Sequence, residues 1–370
     1  MALSFGTATA PLSITTYLDS LFATSLANYR KQLIDNIGAS NAVLYEILKS
    51  DAYEKAAGGT YIAEQLMYGF ATADSYDGYD ELSTLPTDGI TQAAFEWRQM
   101  AAPIAYSMKE VVQNEQRLTD LVKARITQAE LGIQEGWAQA FLWGAQPQGG
   151  ALYTARTSSI NGSSSIDPLP RIVEYGANAL TVGGLVENTY TWWKNQYWTS
   201  AATTYSAFVK ELVHGYNSCA LGTGGPPNLM LMDQVSYECF THAYFSVYKN
   251  APSAVPDTYP FEAQKFFKAK VVMDDKIPDV YTGTPGTQTG GIVDSTTMTY
   301  GTCYFINTKF FKVRYHVDRD WTMLKDENGK TFAKPINGDS RVGHISWMGN
   351  VTCNNRRKQG VLGKIARSFT

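Results

Sequence analysis

Four histidines (His214, His242, His316, His344) and four cysteines (Cys219, Cys239, Cys303, Cys353) are the residues of this chain best suited to nucleophilic or metal chemistry. A zinc hydrolase needs two histidines one helical turn apart with a carboxylate between them, so that ligands and base share one face, and no such run occurs. The cysteines form no C-x-x-C pair, which argues against a zinc ribbon or a disulfide scaffold and suits four reduced, partly buried thiols. One pair has catalytic spacing. Cys239 and His242 lie three residues apart on an expected helix, close enough for a thiol and a base to meet. The same spacing also arises wherever a helix turns one half-buried face inward, and that is the commoner origin of such pairs.

Three further features invite chemistry. Gly222-Thr223-Gly224-Gly225 resembles a phosphate cradle, but a cradle follows its strand and opens a helix, whereas these glycines precede an expected strand and lack a G-K-[ST] ending. They are expected to form a turn. Trp192, Trp193, Tyr197 and Trp198 could stack a sugar or a base, although aromatics so spaced more often anchor a core or a subunit contact. Asp274 and Asp275, at a strand end, are expected to be solvated. No catalytic, cofactor-binding or metal-ligating residue is assigned.

Charge is more informative. The chain of 370 residues carries 31 Lys plus Arg against 34 Asp plus Glu, a net −3 that argues against grip on polyanions through bulk charge. At 18% charged and 44% apolar it is suited to a large core. Its charges are segregated: 74–96 holds six acids and no base, and 340–370 holds six bases and no acid. Asp77, Asp80, Glu81 and Asp88 are therefore expected to face Arg356, Arg357 and Lys358 of another copy. No apolar run approaches the ~18 residues a membrane span needs, and no basic region precedes an apolar one as in a secretory leader.

The elements that must position these groups follow from periodicity. Leu18, Leu21, Phe22, Leu26, Tyr29 and Leu33 predict an amphipathic helix from Leu12, interrupted at Gly38, with Asn41 capping a short helix through Leu48. Asp74–Val111, turning at Leu85-Pro86-Thr87-Asp88-Gly89, reads as a long β-hairpin whose arms of about 15 residues would reach roughly 50 Å. Such an arm needs a neighbour to lie on. The stripe Leu118, Val122, Ile126, Ala129, Ile133, Trp137, Phe141 predicts one helix over 114–143. A connection follows over 149–170, then a helix over 202–216, a strand over 228–232 and a helix capped by Asp233. Strands are expected over 269–273, 302–307, 311–315, 343–349 and 361–366, with an exposed loop over 278–297.

Tyr79-Asp80, Gly89-Ile90-Thr91 with Trp97, the helix ending at Trp143, Val182-Gly183-Gly184 with Trp192-Trp193, and Asn228 to Tyr237 occur in this order. Val271-Val272-Met273-Asp274, Tyr304-Phe305-Ile306-Asn307, Trp347-Met348-Gly349-Asn350 and Asn355 to Gly360 follow. In this succession the chain resembles the major capsid proteins of tailed bacteriophages with the Hong Kong 97-like fold, over roughly residues 40–367. The resemblance implies an α+β fold: N-terminal arm and helices (1–73), extended hairpin loop (74–111), peripheral domain with its long spine helix (112–175) and C-terminal strands (321–370), and axial α/β domain (176–320). It also implies hexamers and pentamers of an icosahedral shell around double-stranded DNA in a virion, assembled in the bacterial cytoplasm. The implied partners are a portal protein, a separate scaffolding protein and a decoration protein, with non-specific contact to DNA and no membrane. No lysine occurs between Asp74 and Met108, so a covalent lysine–asparagine link from the hairpin, known in that family, is not expected. The rival readings are a nanocompartment shell of the same fold, a carbohydrate-binding structural protein using the Trp192–Trp198 cluster, and a Cys239/His242 hydrolase.

Overall fold

The computed structural model describes residues 42–71, 73, 75–80, 88–113, 121–143, 166–176, 181–248, 265–281, 287–289, 292–294, 300–325, 329–335 and 338–369. The helix expected from Leu12 to its interruption at Gly38, residues 114–120 of the helix expected over 114–143, and the Ser/Thr-rich stretch 149–165 lie outside these residues. The chain divides into two units, one formed by Met1–Asn36, Ala101–Ile133 and Trp321–Ser346, the other by Ile37–Met100, Gln134–Asp320 and Trp347–Thr370.

In the first unit, the helix Met108–Gln113 begins with a capping box. Ser107 Oγ accepts from Lys109 N at 3.2 Å, while the Glu110 carboxylate reaches back to Ser107 N at 3.0 Å. Glu110 also holds Arg125 at 3.1 Å. Tyr106 meets Phe332 edge-to-face at 5.3 Å. Thr322 and Met323 pair antiparallel with Ser346 and Ile345, and Ala333 bridges Val342.

The second unit is organised by a six-stranded mixed sheet, in the order Gln196–Thr199, Gly360–Ile365, Gly301–Ile306, Leu229–Met232, Ala269–Met273, Lys265–Phe266. Leu229–Met232 and Gly301–Ile306 are buried at every position, the mark of strands covered on both faces. Helices Tyr205–Ala220 and Gln234–Tyr248 supply Phe208, Leu212, Tyr216, Cys239 and Phe240 to this core. Helix Ala42–Lys49 buries Val43, Leu44 and Ile47 and is tied to strand Ala269–Met273 by a Glu46–Lys270 ion pair. The strand, cap, helix sequence at 228–248 is as expected: Asp233 accepts from Ser236 N at 3.1 Å and Val235 N at 3.3 Å. Gly222, Gly224 and Gly225 all have positive φ and turn the chain just before Leu229–Met232.

A second sheet pairs Tyr53–Ala56 parallel to Phe311–His316, which runs antiparallel to Gly349–Cys353. Onto it packs the end of the helix Leu121–Trp143, with Trp137 edge-to-face on Trp347 at 5.8 Å and Phe141 on Phe311 at 6.1 Å. Trp137 and Phe141, the last two residues of the stripe that periodicity predicted, are thus buried.

Several expectations are corrected. The hairpin is built from Ile62–Met67 and Ile90–Phe95, in register from Ile62↔Phe95 to Met67↔Ile90, so its first arm lies before Asp74. Arg98–Ser107 is a separate strand that pairs with Ser340–Cys353. Ile62-Ala63-Glu64-Gln65-Leu66-Met67 alternates buried and exposed at every residue, a period-two signal interrupted by a charge at a core position. The strand expected over 343–349 runs from Ser340 to Cys353. The start of the expected exposed loop, Pro278 to Val280, is buried, and Thr287–Thr289 pairs with Ile292–Asp294. A division at 320/321 separates strands that the six-stranded sheet joins, because Gly360–Ile365 lies between Gln196–Thr199 and Gly301–Ile306.

Candidate assembly surface

The hairpin stands on a buried base. Ile62, Leu66, Ala93 and Phe95 pack with Val182, Leu185 and Trp193 in one apolar cluster. Between Ile62 and Leu66 the inward position is Glu64, only 6% exposed. Its carboxylate accepts from Thr352 Oγ1 at 3.0 Å and Arg314 Nε at 3.1 Å, so the charge enters the interior paired. Ala94 N donates to Gly183 O at 2.9 Å, and Trp97 Nε1 donates to Gly59 O at 2.8 Å.

Beyond Met67 the support stops. Tyr68 N donates to Gly89 O at 2.8 Å, and the Tyr68 ring stacks on Trp192 at 5.3 Å. Past that contact Phe70, Tyr76 and Tyr79 are exposed, as are Met67 and Ile90 at the hairpin's end. The turn that carries Tyr79 is nonetheless ordered by its own bonds. Asp77 N donates to Asp80 Oδ2 at 2.8 Å, Gly78 N to Asp77 Oδ1 at 2.8 Å, and Asp80 N to Asp77 O at 2.9 Å. Asp77, Asp80 and Asp88 are exposed, and Glu81 lies outside the described residues.

Of the three cations expected to face a neighbour, only Arg357 is exposed. Arg356 is fully buried: its guanidinium pairs with Glu187 and donates to Ile172 O at 2.8 Å, Trp193 O at 3.0 Å and Asn195 Oδ1 at 3.2 Å. Lys358 Nζ donates to the carbonyls of Ala220, Leu221 and Gly222 at 3.1, 2.8 and 3.2 Å, closing the C-terminal end of Tyr205–Ala220 where acceptors are otherwise orphaned. The expectation that Arg356 and Lys358 meet a neighbour's acids is therefore corrected, because both cations serve acceptors inside their own chain. The alternating exposure of 356–358 follows from a 3-10 turn packed on that helix.

The aromatic cluster does not form one platform. Trp193 is buried, with Nε1 donating to Val182 O at 3.0 Å, whereas Trp198 packs edge-on against Phe305 and His214 on the six-stranded sheet. Cys239 is buried, its thiol directed at Ala366 O and Arg367 O, and burial pushes its pKa up to about 11. His242 is exposed and lies beside Tyr205. The Cys239 thiol is thus kept protonated, the opposite of an activated nucleophile. Burial likewise pushes Cys219 and Cys353 up to about 12.

Two buried carboxylates escaped the sequence reading as unusual groups. Asp233 and Asp274 are each pushed up to about 6 by burial, against which backbone amides act. Asp274, expected in solvent, accepts from Lys276 N at 3.0 Å and from Val43 N at 3.3 Å, so it fastens the first turn of helix Ala42–Lys49. Among the described residues no group of histidine, cysteine and acidic side chains could hold a metal ion. No described helix is long and apolar enough to cross a membrane.

No sequence-family model matches the chain, and no curated protein does. Solved structures match by fold. The capsid asymmetric unit of cyanophage A-1(L) aligns with a TM-score of 0.59 at 12% identity, covering 92% of this chain and 97% of that one. The capsid of a native GTA particle gives 0.54 at 12% identity over 92% and 96%. The SrpI encapsulin of Synechococcus elongatus PCC 7942 gives 0.52 at 8% identity over 98% and 99%. The chain therefore has an α+β fold shared with proteins of closed shells, and that fold is the Hong Kong 97-like one expected from the order of its motifs.

Proposed function

We propose that this chain is the major capsid protein of a tailed double-stranded-DNA bacteriophage, assembling into hexamers and pentamers of an icosahedral shell. The observation that carries the proposal is the hairpin. Its base is fastened by Glu64, Gly183 and Trp97, while Met67, Phe70, Tyr76, Tyr79 and Ile90 at its far end find no cover among the described residues. Large apolar and aromatic side chains left exposed along one projecting element mark an interaction site. A chain whose fold is that of shell proteins most simply covers them with another copy of itself. Weak contacts repeated around a closed symmetric assembly sum to a stable one.

In this reading the function is geometric and uses no catalytic residue. The acids Asp77, Asp80, Glu81 and Asp88 steer the loop toward basic groups of a neighbour, with Arg357 as the contribution of the C-terminal region. The segment before Ala42 acts as an arm. Portal, scaffolding and decoration proteins are the further partners, and packaged DNA is held without a strong grip.

Negative-stain microscopy after size-exclusion chromatography, on the chain expressed alone and with a scaffolding protein, tests the proposal. Capsomer rings or closed shells are expected. A monomer of 40.8 kDa under both conditions would overturn it. Shells that copurify with an enzyme cargo would instead assign the chain to nanocompartments.

A further inference from the structure

We propose that Tyr79 enters a cavity on a second copy of this chain, the one lined by Trp198, Thr199, Lys210, Glu211, His214 and Leu362. The inference rests on the self-assembly reading above and names the receptor for the hairpin loop.

Four observations converge. Tyr79 is fully exposed, yet the turn from Asp77 to Asp80 that presents it is closed by three internal hydrogen bonds. An aromatic ring held out by a preformed turn loses little freedom on docking, which is how an anchor residue is best prepared. The cavity measures about 240 Å³. An apolar cavity of ~150 Å³ accommodates benzene, so this one has room for a single phenol ring. Its aromatic wall is Trp198, already held by edge contacts to Phe305 and His214.

The charges match as well. Tyr79 is flanked by Asp77 and Asp80, both exposed, whereas the cavity carries the exposed Lys210. The acid in the cavity, Glu211, is already engaged: one oxygen accepts from Ser200 Oγ at 2.6 Å and the other from Ala201 N at 3.0 Å. Phe70 is also exposed but lacks the flanking acids and the hydrogen-bonded turn.

The test places p-benzoyl-phenylalanine at position 79 in the full chain and assembles shells from a mixture of light and nitrogen-15 chains. Irradiation should join the Tyr79 peptide of one isotope to a peptide within 196–214 of the other. Shells that form normally but cross-link elsewhere, or only within one isotope, would overturn the cavity assignment and leave the capsid reading intact. Failure of the unmodified chain to assemble under any condition would overturn both. A second measurement uses exposed positions that leave the fold alone. Tyr79→Ala should weaken subunit association about 30-fold, equivalent to ~2 kcal/mol at ~1.4 kcal/mol per tenfold. Tyr79→Phe should keep association near the parent value. Asp80→Asn, whose amide oxygen still accepts from Asp77 N, and Lys210→Gln should each weaken association, and the double variant should weaken it no further than either alone; additive losses would count against the proposed pairing.

Discussion

Arg356 and Glu187 form an ion pair with neither side chain reaching solvent, although 169 residues separate them. The same guanidinium binds Ile172 O and Trp193 O, so one side chain joins three stretches of chain beneath the hairpin's base. Trp193 belongs to the cluster that carries the hairpin, which makes Arg356 a support for it at one remove.

Replacing Arg356 by Met leaves Glu187 as a buried charge without its partner, a change that typically costs 3–5 kcal/mol, about that much being expected here. Arg357→Glu, on an exposed neighbour, should stay within about 0.5 kcal/mol in the unassembled chain. Denaturant unfolding of the two variants checks both figures. A loss below about 1 kcal/mol for Arg356→Met would show that the pair is not structural.

Gly183 has φ +59°, and a Cβ there would lie 2.7 Å from Ala93 Cβ and 3.1 Å from Phe95 Cζ. Gly183→Ala therefore has to push the hairpin base outward or strain its own backbone, at a cost of about 1–3 kcal/mol. Amide exchange should accelerate along Ile62–Met67 and Ile90–Phe95 more than in the six-stranded sheet. Uniform protection in both regions would refute this role.

Asp233 gives the fold a pH dependence whose sign is set by burial. Its folded pKa of about 6 lies above the ordinary 3.8, so the folded chain binds this proton more tightly than the unfolded one. The stability it adds is complete below about pH 4 and is lost as pH rises through 6, a difference of roughly 3 kcal/mol for about two pH units. Asp274 acts in the same direction. Urea midpoints should fall less between pH 5 and pH 7 for Asp233→Asn than for the parent. Parallel pH profiles would remove Asp233 as the cause.

All four cysteines are free and buried, and burial raises the pKa of each. An aromatic disulfide reagent at pH 7.5 should label none of them quickly in the folded chain and all four after denaturation. One fast-reacting thiol, mapped to Cys239, would revive the hydrolase reading.

The parts of the fold legible in the sequence are those whose signal is local. Asp233 follows four apolar residues and opens a helix, and both events depend on atoms within four residues of its own backbone. The stripe ending at Trp137 and Phe141 is likewise a matter of helical period. The capping box at Ser107–Glu110 is equally local, although it falls within the range 74–111 that reads as a hairpin. The true first arm, Ile62–Met67, is obscured by Glu64. A charge between Ile62 and Leu66 hides a strand unless one knows that Arg314 and Thr352 arrive to pair it.

Arg356, Arg357 and Lys358 show the boundary most sharply. Composition established a cluster of three cations, close to an acidic loop in charge logic, and a chain with too few charges for its apolar content to stay unfolded. Which cation meets solvent was left to the packed chain, where Arg356 finds Glu187 and Lys358 finds the end of a helix while Arg357 stays exposed. Pattern along a chain reports neighbours a turn or two away. Burial and ionic pairing are settled by residues brought together across 136 to 185 positions, and no local period encodes them.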